Sequence, residues 1–237
     1  MMKVKKIGLV VLASMILVSC FKDSEVALDV NTDVYMIKKM AGDVPVFGVA
    51  FYAYGNQIMK SGTVTQVGGL GEQINLGLNP GSIYTLYKEP SEDEFYGYLP
   101  TASEYKFSVL SESGQSQVSS DFLNVKNIGV PFILKAEIGD VQKLFDITWT
   151  KVTNADGYVV KIAEENGNYI YSTGAVSSET TTVSINLLVG NWTKPIEQGN
   201  AYVVEVSAFA YEDNVDSYTA AYNLETISIA SKTVIYE

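Results

Sequence analysis

Leu144-Phe-Asp-Ile-Thr-Trp-Thr150 alternates strictly, with Leu144, Asp146, Thr148 and Thr150 on one side and Phe145, Ile147 and Trp149 on the other. Successive side chains of a strand point to opposite faces, so this run is a strand with one apolar face that ends in a tryptophan. Asn154-Ala155-Asp156-Gly157 follows as a turn, and Tyr158-Val159-Val160-Lys161-Ile162 is the next strand. Thr180 to Leu187, Ala201 to Ala208 and Ile227 to Tyr236 supply three more. Upstream, Val44 to Tyr54, Ser61 to Val67, Gln73 to Leu78 and Ile83 to Tyr87 read as strands too, and Ser113-Gly114 turns into a strand from Gln115 to Leu123. No stretch holds a 3.6-residue apolar period for three turns. The pattern predicts an all-β chain with an internal seam at Asn124 to Pro131.

Several of these residues together resemble a fibronectin type III domain: Trp149 ending one strand, Tyr158 opening the next after an Ala-x-Gly turn, Leu187 closing a later strand, and Gly199-Asn-Ala-Tyr-Val-Val-Glu-Val206. The resemblance covers roughly Val130 to Glu237. It implies that Trp149 and Tyr158 pack the core, and that Tyr202 forms a corner whose hydroxyl bonds back to the preceding chain, with Leu187 as its apolar partner. The segment Val189 to Gln198, with Trp192 and Pro195, lengthens a connection that is short in that family. In the first half, Leu99-Pro-Thr-Ala-Ser-Glu-Tyr105 resembles the same approach to a corner tyrosine, and the rest reads as an immunoglobulin-like sandwich with a long hairpin excursion. The expected organisation is a leader over 1–19, a tether over 20–25, an immunoglobulin-like sandwich over 26–125 and a fibronectin type III-like domain over 130–237. Such modules bind or space; the pattern names no ligand.

The leader is read from its own chemistry. Lys3, Lys5 and Lys6 precede an apolar run from Ile7 to Val18, then Ser19 and Cys20. A positive start, a short apolar stretch and a small residue at the cut are the parts of a secretory signal, and the stretch is too short to span a bilayer. Leu17-Val18-Ser19-Cys20 resembles the lipobox of bacterial lipoproteins, which implies a diacylglycerol on the Cys20 sulfur. Cys20 is the only cysteine, so no intrachain disulfide competes for it. Lys22-Asp23, with Glu25 behind, looks like the lysine-plus-acid signal of surface-displayed Bacteroidetes lipoproteins. The expectation is a lipid anchor in the outer membrane, with the cell surface favoured over the periplasmic face.

Of 237 residues, 19 precede Cys20, leaving 218, enough for two sandwiches of about 100 residues each. Loss of Lys3, Lys5 and Lys6 takes the net charge from −11 to −14. A surface so acidic repels phosphate backbones, which argues against nucleic acid as a partner. The chain has no histidine, and its 16 basic residues are all lysine. Ser-His-Asp and Cys-His catalysis and histidine-ligated metals are therefore excluded, as are bidentate arginine clamps. No cofactor is expected. What remains is oxygen chemistry: carboxylate pairs, lysine nucleophiles and calcium.

Four tyrosines, Tyr84, Tyr87, Tyr96 and Tyr98, crowd around one acidic loop. Their rings are either a stacking platform for sugars or ordinary strand aromatics. Trp192 is either an exposed ligand contact or a plug over one end of its sandwich. Glu89, Glu92, Asp93 and Glu94 form one acidic run, and Glu212, Asp213 and Asp216 another. Neither has the ligand spacing of a calcium loop, though the second is kept as a weak calcium candidate. No feature selects a carboxylate pair for glycoside hydrolysis, which stays only as a remote alternative. The reading is a non-enzymatic envelope lipoprotein that binds or scaffolds. One version is a glycan-binding accessory of polysaccharide uptake, with Trp192, Tyr96 and Tyr98 as contacts. The other is a structural or adhesive module that joins protein partners. Cys20→Ser is expected to abolish incorporation of labelled palmitate and move the chain out of the membrane fraction; palmitate labelling that survives the change would overturn the anchor assignment.

Overall fold

The computed structural model describes residues 26–139, 143–213, 215 and 223–237. The leader, Cys20 and Asp216 lie outside the described residues. Among the described residues the chain is all-β, with one 3-10 turn at Glu92–Glu94. The first half holds β1 (Val30–Ala41), β2 (Val44–Gly55), β3 (Met59–Gln66), β4 (Gln73–Asn79), β5 (Ser82–Lys88), β6 (Ser103–Ser111) and β7 (Ser116–Leu123). The second holds β8 (Ile133–Gly139), β9 (Leu144–Trp149), β10 (Gly157–Glu164), β11 (Tyr169–Ser172), β12 (Val176–Ser177), β13 (Thr182–Asn186), β14 (Ala201–Tyr211) and β15 (Leu224–Ile235).

Both halves use one strand plan. In the second, β8-β9-β13 faces a sheet in which β10 pairs with β11, β12 and β14, and β14 with β15. In the first, β1-β2-β5 faces β4-β3-β6-β7, and the β4–β5 pairing joins the two at one side. The run β3 to β5 is the ordinary path of a sandwich, and among the described residues of this half no long hairpin excursion stands apart from it. The two halves are fibronectin type III-like sandwiches in tandem. Each has its own apolar cluster. Phe145, Ile147, Trp149 and Tyr158 fill one, and Phe51, Leu86, Phe107 and Leu123 the other. In the second half Trp149, Tyr158 and Tyr202 take the places expected of them, and Leu187 packs, partly buried, against the same cluster. Trp149 meets Tyr158 edge-on at 5.3 Å, and the Tyr158 hydroxyl accepts from Val152 N at 2.7 Å. Tyr202 makes its corner, its hydroxyl accepting from Glu197 N at 2.7 Å. Among the described residues Tyr105 makes no such bond; it packs edge-on against Phe51 at 5.1 Å.

One pairing does not follow from either sandwich alone. β1 of the first half runs parallel to β15 of the second, from Met36 opposite Thr226 to Lys39 opposite Ile229. It merges sheets of both halves into one of twelve strands. The linker lies across this joint. Ser228 Oγ donates to Gly129 O at 2.7 Å, Thr226 Oγ1 donates to Lys126 O, and Lys38 Nζ donates to Ile128 O at 2.9 Å. Ahead of Met36, among the described residues no strand pairs with the outer edge of β1, and side chains of β7 and of Gln115 just before it serve amides there instead. Val34 N donates to Asp121 Oδ2 at 2.6 Å, and upstream Leu28 N donates to Gln115 Oε1 at 2.7 Å. An unpaired backbone donor would be costly there, and the polar side chains of Asp121 and Gln115 offset that cost.

Supplying carboxylates to the joint has a consequence. Asp33, fully buried, accepts from Leu224 N through Oδ2 at 3.4 Å, while its Oδ1 has no partner. Burial, and then the nearby Asp121 carboxylate, push Asp33 from 3.8 up to about 8, with Glu212 and Glu225 adding to the effect. Burial also raises Glu212, to about 7. In the unfolded chain Asp33 loses its proton near its ordinary value, whereas the folded chain keeps it. Stability from this group is therefore full below about pH 4 and is lost as pH rises through about 8. Asp33→Asn retains an acceptor for Leu224 N and turns the orphan oxygen into a donor facing carboxylates. It is expected to raise Tm at about pH 8 by roughly 3 °C or more, with the gain shrinking towards about pH 4. Calorimetry at the two pH values checks this; an equal or lower Tm at the higher pH would refute it.

Candidate functional site

The connection from β5 to β6 carries the tyrosines singled out in the sequence. Its first turn is tied down by one carboxylate oxygen: Glu94 Oε2 accepts from Ser91 N at 2.7 Å, from Ser91 Oγ at 2.6 Å, and from Lys88 Nζ. Those bonds, Lys88 first, pull the Glu94 carboxyl down to about 2. The loop then pairs with β2, Phe47 N and Tyr96 N each donating to the other's carbonyl at 2.9 Å. Gly48 permits this approach, since a Cβ there would lie 2.6 Å from Pro90 Cγ. Lys39 completes the brace, bonding Glu92 at 2.7 Å and sitting 4.0 Å above the Phe95 ring.

On this base Tyr96 and Tyr98 stack on each other at 5.4 Å, and both are exposed, by 49% and 67%. They form one wall of a groove of about 450 Å³, with Pro90, Pro100 and Tyr105 also lining it and Glu94 and Lys88 as polar groups. The volume lies within the usual range of ligand sites. The other two tyrosines do not join them. Tyr84 is exposed outside the groove lining, and Tyr87 packs on Tyr52 at 5.6 Å.

Trp192 is brought to a different place. It packs against Tyr171 at 4.6 Å and against the core of the second half, and its indole N–H donates to Asn186 O at 2.9 Å. This geometry makes it a cover for one end of the sandwich. The acids of the first run are engaged within the loop and its neighbours: Glu89 accepts from Tyr52, Glu92 from Lys39, and Asp93 shares the Ser91 hydroxyl with Glu94. In the second run Glu212 belongs to the acids around Asp33, and Asp213 pairs with Lys126 at 3.3 Å. Among the described residues no three acids gather closely enough to hold a metal ion.

A second concavity, absent from the sequence reading, lies beside the β1–β15 joint. It measures about 340 Å³ and takes Tyr35 and Tyr52 from the first half, and Tyr169, Phe209 and Tyr211 from the second. That rings of β1 and β2 line one cleft with rings of β11 and β14 depends on the joint.

No family model matches this chain, and no curated protein matches it. Solved structures give loose likenesses. A two-domain fibronectin type III segment of chicken tenascin is 12% identical, covers 87% of this chain and 99% of its own, and has a TM-score of 0.29. The FN1–FN3 domains of chicken CNTN1 are 11% identical over 89% of this chain and 66% of theirs, with a TM-score of 0.27. A bacterial ice-binding adhesin is 15% identical over 89% and 65%, also at 0.27. At these scores the class, a tandem of two fibronectin type III-like sandwiches, stands on this chain's own strand order and core.

Trp192→Ala is expected to lower stability by about 2 kcal/mol, by uncovering Tyr171 and the apolar cluster beneath. Denaturant titration checks this, and a loss below about 0.5 kcal/mol would show that the ring covers nothing of consequence.

Proposed function

We propose that this chain is a non-enzymatic binding module, held by lipid on Cys20 at the outer membrane and displayed at the cell surface, whose braced Tyr96–Tyr98 loop takes a polysaccharide. The observation that carries this reading is the pair of exposed, mutually stacked rings at the wall of the groove, on a loop fastened at Glu94, Phe47 and Lys39. Aromatic faces take the apolar faces of sugar rings, and Glu94, Lys88 and Gln66 border the same groove with groups that meet hydroxyls. A loop already fixed before binding loses little further freedom when it binds. Polysaccharide uptake is the setting that suits such an accessory.

A second reading, a structural or adhesive module for protein partners, draws on the β1–β15 pairing. That joint and its pinned linker fix the two sandwiches relative to each other, as a stiff spacer requires.

Affinity electrophoresis of the lipid-free chain from Lys22 onward, in gels holding a panel of polysaccharides, separates the readings. At least one polysaccharide is expected to retard the chain, with Tyr96→Ala and Tyr98→Ala together weakening that retention about tenfold. Retardation by none, or retention unchanged in the double variant, overturns the glycan assignment and leaves the protein-partner reading. Polysaccharide hydrolysis abolished by a single carboxylate-to-amide change would overturn the non-enzymatic assignment.

A further inference from the structure

The outward face of a sandwich sheet is ordinarily polar, because water covers it. Beside the β1–β15 joint that rule is broken. Ile37, Leu224, Ile227 and Ile229 floor the 340 Å³ cleft, and Tyr35 and Ile37 are only 4% and 7% exposed. The rings of Tyr35 and Tyr52 stack at 5.7 Å on one side, while Tyr169 stands on the other.

The polar groups repeat one device on the two sides. Tyr52 donates its hydroxyl to Glu89 Oε1 at 2.5 Å, and Tyr169 donates to Glu205 Oε2 at 2.6 Å. Burial first, then the bonded carboxylate, raises both phenols well above their ordinary value, so both stay protonated and remain donors. The tyrosine donors are thereby engaged, and the second oxygen of each carboxylate remains as an acceptor. Two carboxylates face a single ammonium, that of Lys161, which lies 4.7 Å above the Tyr169 ring. The cleft is thus apolar at its floor, aromatic at its sides, acceptor-rich at its rim and negative by one formal charge. Aromatic faces and carboxylates attract the same kind of group, a cation.

We infer that the interdomain cleft is a binding site for an organic ammonium, a cationic amine carried on a small apolar frame, with the rings of Tyr52 and Tyr169 against the frame and Glu89 and Glu205 as its counter-charges. An anion is repelled by both carboxylates, and a neutral hydroxylated ligand forgoes the charge. The site is distinct from the Tyr96–Tyr98 groove and shares no lining residue with it.

The test compares choline with its uncharged carbon isostere, 3,3-dimethylbutan-1-ol, by saturation-transfer NMR on the chain from Lys22 onward, which retains every described strand. Choline is expected to give a saturable signal at millimolar concentration, about fivefold tighter than the isostere and weakened by salt. Glu89→Gln keeps an acceptor for the Tyr52 hydroxyl at an exposed position, and Tyr169→Ala removes a ring. Glu89→Gln is expected to weaken choline about threefold and leave the isostere unchanged, whereas Tyr169→Ala weakens both. Unaltered thermal unfolding of Glu89→Gln certifies its fold. Equal binding of choline and isostere, no saturable choline signal up to about 50 mM, or choline binding indifferent to Glu89→Gln would each overturn the inference.

Discussion

Four residue pairs of parallel strand, Met36–Lys39 against Thr226–Ile229, hold the two halves of this protein in one arrangement. Strand edges carry unpaired amides and carbonyls, and a sandwich in isolation leaves its first and last strands open. Here the last strand of the second sandwich closes the first strand of the first. The linker then satisfies Lys38, Thr226 and Ser228 across the joint, so a segment that reads as a connector is part of the packing. Both the interdomain cleft and the buried acids around Asp33 exist because of this contact.

The joint also explains where the chain tolerates electrostatic cost. Asp121 serves Val34 N, where β1 runs ahead of its pairing with β15, and Glu225 accepts from Asn124 and from Lys126 N in the linker. Each carboxylate does a backbone group's work, yet together with Asp33 and Glu212 they crowd like charges in a space with little water. Asp33 and Glu212 answer this by holding their protons, which couples the joint to pH through two groups that titrate well above their ordinary range. With no histidine in the chain, it is buried carboxyls that give the joint its titration near neutrality.

Aromatic residues divide between three tasks. Trp149 and Tyr158 fill a core, Trp192 and Tyr171 close a sandwich end, and Tyr96 and Tyr98 remain in water on a loop braced by Glu94, Lys39 and the backbone of β2. The distinction lies in what surrounds each ring. Tyr96 and Tyr98 sit on a connection fastened backbone-to-backbone to β2, which leaves their side chains outside every apolar cluster.

Much of this was legible in the chain. Alternation placed Phe145, Ile147 and Trp149 on one face and marked β2, β9, β10 and β14, because a strand with one dry face writes its period into the sequence. Tyr202 and Tyr158 were legible through resemblance, and the exposed tyrosines through their acidic, proline-flanked loop. β1 was not. Val30-Asn-Thr-Asp-Val-Tyr-Met-Ile-Lys-Lys-Met-Ala41 mixes turn formers and charges into a strand, since Asp33 and Lys38 answer to the joint and the linker rather than to a face in water. Composition and local period thus determined the fold class and excluded histidine and arginine chemistry. Tertiary structure alone decided that the sandwiches share a sheet, that Trp192 covers a sandwich end, and that tyrosines 117 positions apart, Tyr52 and Tyr169, face one cleft. Periodicity reports on a residue's own strand; which strand edge meets which is set by pairing between distant segments, and nothing local records it.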